Sequence, residues 1–261
     1  MSEYVSAPDM LKKSVDPGTP LRKIDSTGSF SGLLTAAAVI AFFCGYMLLP
    51  LLASLLMPAD SAFTGIVASS GPVISLIVLF SITRYRSGSF RKTLLICGFR
   101  RFPRRTLLLG IFIAGAITLT GGSVTMLWEY IANFIGCDLD MPPTVILALS
   151  DNILDVIALL IVALLAAPFF EEIFFRKVLY GVSRKFLPSV WAAFLASFCF
   201  SALHISLLQL PGLLLIGWIW QSLYLQSKNL WTSVILHFFN NLIAAGLLLA
   251  GRFAGITETL T

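Results

Sequence analysis

The chain has 261 residues, of which 57% are hydrophobic and only 12% are charged. A soluble domain carries about 25% charged residues, so this composition excludes an ordinary soluble protein and predicts a polytopic membrane protein. The formal net charge of +5 gives no reason to expect a nucleic-acid partner, because the basic residues follow the predicted membrane topology. The four cysteines lack the spacing of a metal site or a disulfide framework. The predicted fold class is an all-α bundle of about seven to eight transmembrane spans.

The apolar segments divide the chain into one membrane domain and two tails. Residues 1–30 are rich in Ser, Pro, Gly and Asp, which is typical of a disordered tail. Residues 31–250 are predicted to form a single transmembrane domain whose polar motifs lie at residues 150–250, and residues 251–261 form a short C-terminal tail. The predicted spans are Ser31–Met57, Phe63–Thr83, Thr106–Ile135, Asp151–Lys185, Val190–Ile205, Gly212–Gln226 and Leu230–Ala250.

Two shorter segments complete this topology. The apolar segment at residues 94–99 is too short to cross a bilayer and is expected to lie at the interface, whereas a helix at residues 144–150 would add an eighth span. With a cytosolic N-terminus, seven spans place every Lys and Arg except Arg252 on the cytosolic side. The positive-inside rule therefore predicts a multi-pass integral protein, in the cell membrane if the source is prokaryotic, with a cytosolic N-terminus.

A group of charges lies late in the fourth predicted span. Burying one charge at the centre of a bilayer costs ~2.5–3.5 kcal/mol, so these residues are expected to meet partners from other helices. Glu172 and Arg176 are four residues apart and share a helix face, which predicts a structural ion pair. Glu171 points about 100° away from Glu172 and is predicted to be the functional carboxylate. Pro168 is expected to kink this helix and to leave carbonyls near Leu164 unpaired.

The two histidines of the chain are the expected partners of this group. His204 lies as far after a predicted turn at residues 187–188 as Glu171 lies before it, so an antiparallel hairpin brings both residues to the same depth. His237 and Asn241 are four residues apart on the last span and share a helix face. The two histidines, Glu171 and Asn241 are therefore predicted to converge in one polar pocket between three helices.

Such a pocket contains the groups needed to hydrolyse a peptide bond with activated water. A carboxylate in a low-dielectric site is a general base, and a histidine can share its proton or protonate a leaving amine. Histidine and asparagine side chains can donate hydrogen bonds to a developing oxyanion. Zinc is an alternative, because Glu171, His204 and His237 are ligand types that leave a fourth position open. Against zinc, the sequence contains no His-Glu-x-x-His motif.

Four motifs occur in order within residues 150–250. They are Glu171-Glu172-x-x-x-Arg176, Phe200-x-x-x-His204, the glycines Gly212 and Gly217 before Lys228-Asn229-Leu230-Trp231, and His237-x-x-x-Asn241. In order and spacing this set resembles the CAAX protease and bacteriocin-processing family, which includes the type II CAAX prenyl endopeptidases. The sequence departs from many members of that family at Lys177, where they have glycine.

The resemblance implies an intramembrane endopeptidase built as a helical bundle. Glu171 would activate water with assistance from His204, while His237 and Asn241 would bind the oxyanion. The ion pair would be structural. The resemblance implies a glutamate-dependent reaction without a cofactor. The implied partners are membrane lipid and a peptide or protein substrate, which is prenylated or otherwise membrane-associated.

Two other classes of function remain open at this stage. Some members of the family act as scaffolds or immunity proteins, so the chain could have the same fold without catalysis. The buried charges could also form the proton relay of a transporter, although the sequence shows no inverted halves. Loss of function in Glu171→Gln with an unchanged fold would separate the protease from the scaffold, and proton-coupled flux in liposomes would indicate the transporter.

Overall fold

The computed structural model describes residues 28–56, 67 and 70–254. Every element in these ranges is a helix, and they contain no strand, which confirms the predicted all-α fold class. The predicted N-terminal tail, the link after the first span and the C-terminal tail lie largely outside the described residues.

Nine helices, here α1 to α9, make up the described part of the chain. Two of them contain π-helical segments. In α1, Gly28–Phe42 continues through a π-helical segment at Phe43–Leu48 into Leu49–Leu56. In α6, Ile153–Ser183, the π-helical segments are Val162–Ala166 and Ile173–Leu179. The other helices are α2 (Gly71–Ser87), α3 (Phe90–Cys97), α4 (Arg104–Phe134), α5 (Pro143–Ala148), α7 (Ser189–Ala202), α8 (Leu210–Ser227) and α9 (Leu230–Phe253).

The helices agree with the predicted spans except at some of their ends. The short helices α3 and α5 fall where an interfacial segment and an extra helix were predicted. The largest difference that affects the site is at the end of α7, which was predicted to extend to Ile205 but ends at Ala202. Ile205 has a φ of 47°, in the left-handed region, so the helix cannot continue through it. His204 consequently lies in a turn instead of on a helix.

Four helices in the described ranges are long and apolar enough to cross a membrane by length and composition. They are Leu34–Leu52 within α1, Arg104–Phe134, Ile153–Ser183 and Leu230–Phe253. Large apolar side chains on these helices point outward, such as Phe112 at 75% and Leu119 at 72% exposure. An apolar outer surface of this kind is expected where lipid replaces water. The protein is therefore an all-α membrane bundle, and the number of spans remains a prediction.

The interior contains two clusters of buried apolar side chains, and α6 and α9 contribute to both. The first cluster joins α1, α2 and α3 to α6 through residues such as Phe170 and Ile173. The second joins α4, α7 and α8 to the same two helices through Phe175 and Leu236. Because α6 and α9 lie between the two clusters, their polar side chains are held at the centre of the bundle.

Two glycine pairs let helices approach closely. A Cβ atom on Gly45 of α1 would lie 3.1 Å from the carbonyl carbon of Gly71 in α2. A Cβ atom on Gly212 of α8 would lie 2.6 Å from the carbonyl oxygen of Gly121 in α4. Small residues at such crossings allow close backbone packing in membrane proteins. The first crossing holds α1 against α2, and the second holds α8 against α4.

Candidate active site

α6 departs from regular α-helical bonding just before its charged residues. In the π-helical segment Val162–Ala166, the amide of Ala167 bonds to a carbonyl five residues back. The next residue, Pro168, has no amide hydrogen to continue this pattern to the Ala163 carbonyl. The side-chain amide of Asn241 donates to that carbonyl instead, at 2.7 Å. Helix α9 thus supplies the hydrogen bond that the proline removes, close to where the sequence predicted an unpaired carbonyl.

Glu172 is fully buried and is bound on both sides. Its Oε2 atom accepts a hydrogen bond from Arg176 Nε at 3.0 Å, which is the ion pair predicted from the spacing. Its Oε1 atom lies 3.0 Å from His237 Nδ1. Both side chains of the ion pair are 0% exposed. This carboxylate is therefore closed to a substrate and serves to hold its two neighbours.

The Arg176 guanidinium faces aromatic rings on its other side. Its Cζ atom lies 5.0 Å from the ring centroid of Phe200 and 5.9 Å from that of Trp220. Within the described ranges, its two terminal nitrogens have no hydrogen-bond partner. Rings at these distances stabilise a cation through their negative faces. The positive charge is thus fixed between Glu172 and the second apolar cluster.

Glu171 has one bound oxygen and one that faces the histidine. The hydroxyl of Tyr46 in α1 donates to its Oε1 atom at 2.9 Å. Its Oε2 atom lies 3.8 Å from His237 Nε2, which is longer than a hydrogen bond. Two polar atoms at this distance can share a water molecule only if it lies to one side of the line that joins them. Glu171 also keeps 8% exposure, whereas Glu172 has none.

His237 lies between the two glutamates, with Nδ1 in contact with Glu172 and Nε2 facing Glu171. Its ring packs against Trp220 at a centroid distance of 4.3 Å and against Phe200 at 5.8 Å. These rings and the contact to Glu172 leave the imidazole little freedom to rotate. As a result, Nε2 is directed towards Glu171.

His204 lies in the turn after α7 and is half-buried. Its Nδ1 atom is 3.0 Å from the backbone carbonyl oxygen of Phe200. Because a carbonyl only accepts, Nδ1 carries the proton, and Nε2 of the neutral ring is a proton acceptor. The two histidines pack against the same Phe200 ring, at 5.1 Å for His204. No hydrogen bond or ion pair joins His204 to Glu171 among the residues that the structure describes.

A series of hydrogen-bonded side chains, which the sequence did not predict, connects α4 to α9. The hydroxyl of Thr118 donates to Asn240 Oδ1 at 2.8 Å, and Asn240 Nδ2 donates to Asn241 Oδ1 at 3.5 Å. Asn241 then bonds to the Ala163 carbonyl of α6. The side-chain amide of Asn241 is therefore fixed at both its oxygen and its nitrogen. The second hydrogen on that nitrogen is not used by these contacts.

The structure brings together four of the predicted residues, namely Glu171, Glu172, Arg176 and His237. Asn241 lies one turn further along α9, and His204 is connected to the others through Phe200. Sequence reasoning missed Tyr46, because a tyrosine in an apolar span with no polar neighbour at helical spacing gives no signal. Asn240 could have been suggested by its position next to a motif asparagine.

Lys177, the departure from the resembling family, packs without a clash. Its aliphatic chain runs beside Gly98, where a Cβ atom would lie 3.6 Å from Lys177 Cδ. Gly98 has a φ of 100°, which strongly favours glycine. Lys177 therefore packs beside a glycine that the backbone conformation requires, at ordinary contact distance.

A metal site is not assembled from the predicted ligands. Among the described residues, no group of three or more His, Cys, Asp or Glu side chains is arranged to hold a metal ion. Glu171 and His237 approach each other, while the Nδ1 atom of His204 bonds to a backbone carbonyl and leaves Nε2 open. Zinc therefore stays an alternative from the sequence, and no step below is assigned to a metal.

The fold and this cluster define a helical membrane protein with ionisable residues buried between its helices. Residues 153–243 match the family model described as type II CAAX prenyl endopeptidase, Rce1-like, and this confirms the resemblance seen in the motifs. Over 94 residues the chain is 29% identical to "Putative membrane peptidase YdiL" from Bacillus subtilis (strain 168), which covers 36% of this chain and 38% of that protein. No solved structure matches the chain. The two matches support a membrane protease at the level of the family.

Proposed function

We propose that the chain is an intramembrane endopeptidase in which Glu171 activates a water molecule. The observation that carries this proposal is the 3.8 Å gap between Glu171 Oε2 and His237 Nε2. Tyr46 holds the other carboxylate oxygen, so Oε2 is left to accept a proton from a water molecule bound beside the two side chains. No serine or cysteine nucleophile is required for this reaction.

In the proposed mechanism both ring nitrogens of His237 carry a proton when the residue binds the oxyanion. Nδ1 then donates to Glu172, and the Nε2–H group is a donor beside the reacting atoms. In this role His237 binds the oxyanion that forms when water attacks the peptide carbonyl.

His204 and Asn241 complete the proposed mechanism. Glu171 takes one proton from the attacking water, and His204, whose Nε2 atom is a proton acceptor, relays that proton to the leaving amine as the peptide bond breaks. Asn241 has one amide hydrogen beyond its bond to Ala163, and this hydrogen is available to the oxyanion. Glu172 and Arg176 position His237 without contact to the substrate.

The proposed substrates are prenylated CAAX-type proteins or other membrane-associated proteins. The family match names prenyl endopeptidases, and a site buried between membrane helices is suited to a chain that is itself held at the membrane. The distribution of Lys and Arg supports a cytosolic N-terminus for the protein.

The test is cleavage of a farnesylated CAAX-type peptide, beside a pool of unmodified peptides, by the purified protein in detergent. Glu171→Gln keeps the size of the side chain but removes the base, so we expect kcat to fall roughly 10²- to 10⁴-fold. Glu129→Gln is the matched control, because Glu129 is exposed on α4 and makes no contact with the cluster. Its activity should equal that of the original protein.

Three results would contradict the proposal in different ways. Full activity in Glu171→Gln would remove the glutamate from the mechanism. Activity abolished by a strong chelator and restored by zinc would establish the metal-dependent alternative. No cleavage of any peptide by a well-folded protein would favour a scaffold or immunity protein of the same fold.

A further inference from the structure

The basic segment between α2 and α4 has no part in the proposed reaction. Residues 84–105 contain eight Lys and Arg residues and no Asp or Glu. None of these eight forms an ion pair with a carboxylate in the part of the chain that the structure describes. Their charges are therefore available to an external anion.

Three of these arginines line one pocket with an apolar wall. The cavity has a volume of about 340 Å³ and lies between α3, the loop that follows it and the start of α9. Arg91, Arg100 and Arg101 provide the charge, and all three side chains are exposed. The apolar wall includes Leu95, Phe99 and Trp231.

The backbone around the pocket is fixed to the start of α9. Asn229 accepts a hydrogen bond from the amide of Arg100 at 3.2 Å and donates to the carbonyl of Arg101 at 2.8 Å. The amide of Leu230 donates to the Gly98 carbonyl at 3.1 Å. Two of the arginines are thus held in place by their backbone before any ligand arrives, which lowers the entropic cost of binding.

The surroundings of the pocket are amphipathic. Phe90 at 63%, Leu95 at 54% and Phe102 at 43% exposure lie among the exposed arginines. The pocket is at the end of the bundle where α2 ends and where α4 and α9 begin. Exposed aromatic and aliphatic side chains mixed with arginine are suited to the boundary between lipid headgroups and acyl chains.

We propose that this pocket binds an anionic phospholipid. The arginines hold the headgroup phosphate, for which the guanidinium group has a matching planar set of donors. Leu95 and Trp231 contact the glycerol backbone and the first part of an acyl chain. A soluble acidic peptide would use the charges but not the apolar wall, and a choline headgroup would be repelled by the cluster.

Binding of defined lipids to the purified full-length protein tests this proposal. Native mass spectrometry from detergent would compare dioleoylphosphatidylglycerol with dioleoylphosphatidylcholine. We expect at least tenfold tighter binding of the phosphatidylglycerol. Arg100→Gln combined with Arg101→Gln should weaken it roughly tenfold to thirtyfold, since a basic residue near an anionic headgroup contributes about one kcal/mol. These substitutions leave the backbone contacts to Asn229 in place.

Matched variants distinguish lipid binding in the pocket from attraction by the positive charge of the whole basic segment. Arg84→Gln combined with Arg86→Gln removes the same charge from exposed residues outside the pocket and should change the affinity less than threefold. Leu95→Gln keeps the charge but removes apolar contact, and it should weaken lipid binding severalfold.

Several results would overturn the assignment. These are an equal loss in the two arginine pairs, equal binding of both lipids, or displacement of the lipid by inorganic phosphate or a tetraglutamate peptide at comparable concentration. Circular dichroism of each variant establishes that a loss of binding is not a loss of fold.

Discussion

Two adjacent glutamates have different roles because their surroundings differ. Glu172 has both oxygens occupied, by Arg176 and by His237, and no exposure. Glu171 has one oxygen bound to Tyr46 and the other at 3.8 Å from His237. The helix direction separates the two side chains, and the partners from α1 and α9 are the reason why the proposed reaction assigns the activation of water to Glu171.

Tyr46 is expected to position Glu171 in the proposed reaction. Tyr46→Phe removes the hydroxyl but keeps the ring contacts to Phe42 and Phe170, at 5.2 and 5.6 Å. A hydrogen bond to a charged group contributes about 1.5–3 kcal/mol, so we expect kcat to fall roughly ten- to a hundredfold. KM should change little, because Tyr46 is assigned no substrate contact. Peptide cleavage kinetics measure both quantities.

Tyr85→Phe is the control for this variant, because Tyr85 is 84% exposed whereas Glu171 is buried. An unchanged kcat in Tyr46→Phe would show that the hydroxyl does not orient the carboxylate. A parallel fall in thermal stability would indicate a purely structural role instead.

At the scale of elements, the irregular part of α6 is stabilised by a different helix. Because of its π-helical segment and Pro168, the Ala163 carbonyl accepts its hydrogen bond from Asn241 of α9 instead of from an amide within α6. π-helical segments are rare and occur frequently at functional sites. The other two in the described ranges include Tyr46 and Arg176, both in contact with the glutamates.

A double-mutant cycle tests whether Asn241 replaces the hydrogen bond lost at Pro168. Asn241→Ala should destabilise the protein by about 0.5–2 kcal/mol, the range for hydrogen bonds between membrane helices. In a Pro168→Ala background the new amide hydrogen can bond within α6, so the same change should cost less. Thermal unfolding in detergent measures the four proteins. Equal losses in both backgrounds would mean that the two residues act independently.

At the scale of the molecule, glycine contacts determine how the helices surround the site. The crossing of α4 and α8 at Gly121 and Gly212 is important because α8 also carries Trp220, which packs on His237. Gly217 lies on the same helix, and a Cβ atom there would be 3.1 Å from Phe200 Cδ1. The positions of the aromatic rings that pack on the histidines therefore depend on these glycines.

Gly212→Ala is expected to lower the thermal midpoint by several degrees. The added methyl group would lie 2.6 Å from a backbone oxygen, so the two helices must separate, and overpacking of this kind costs about 1–3 kcal/mol. Gly122→Ala is the control within α4, since nothing lies within 4 Å of its Cβ position. If both variants melt at the same temperature, the close crossing does not limit stability.

The features that could be predicted from the sequence are those that depend on helical spacing. The fold class, the helices and the Glu172–Arg176 ion pair follow from local patterns, because neighbours on one helix have a fixed geometry. Contacts between helices do not follow, because a helical face does not specify which helix it meets. The Tyr46–Glu171 hydrogen bond joins residues that are 125 apart in the sequence. The left-handed conformation of Ile205, which prevents α7 from continuing, is not indicated by a turn-forming residue at that position.

The order in which the cluster is synthesised follows from its contacts. Tyr46 emerges from the ribosome 125 residues before Glu171, so the first partner of the carboxylates is already present when α6 enters the bilayer. Arg176 follows within one helical turn and reduces the cost of insertion for Glu172. His237 is translated 65 residues after Glu172. Both carboxylates are therefore synthesised before one of their partners, and the cluster can be complete only after α9 has been made.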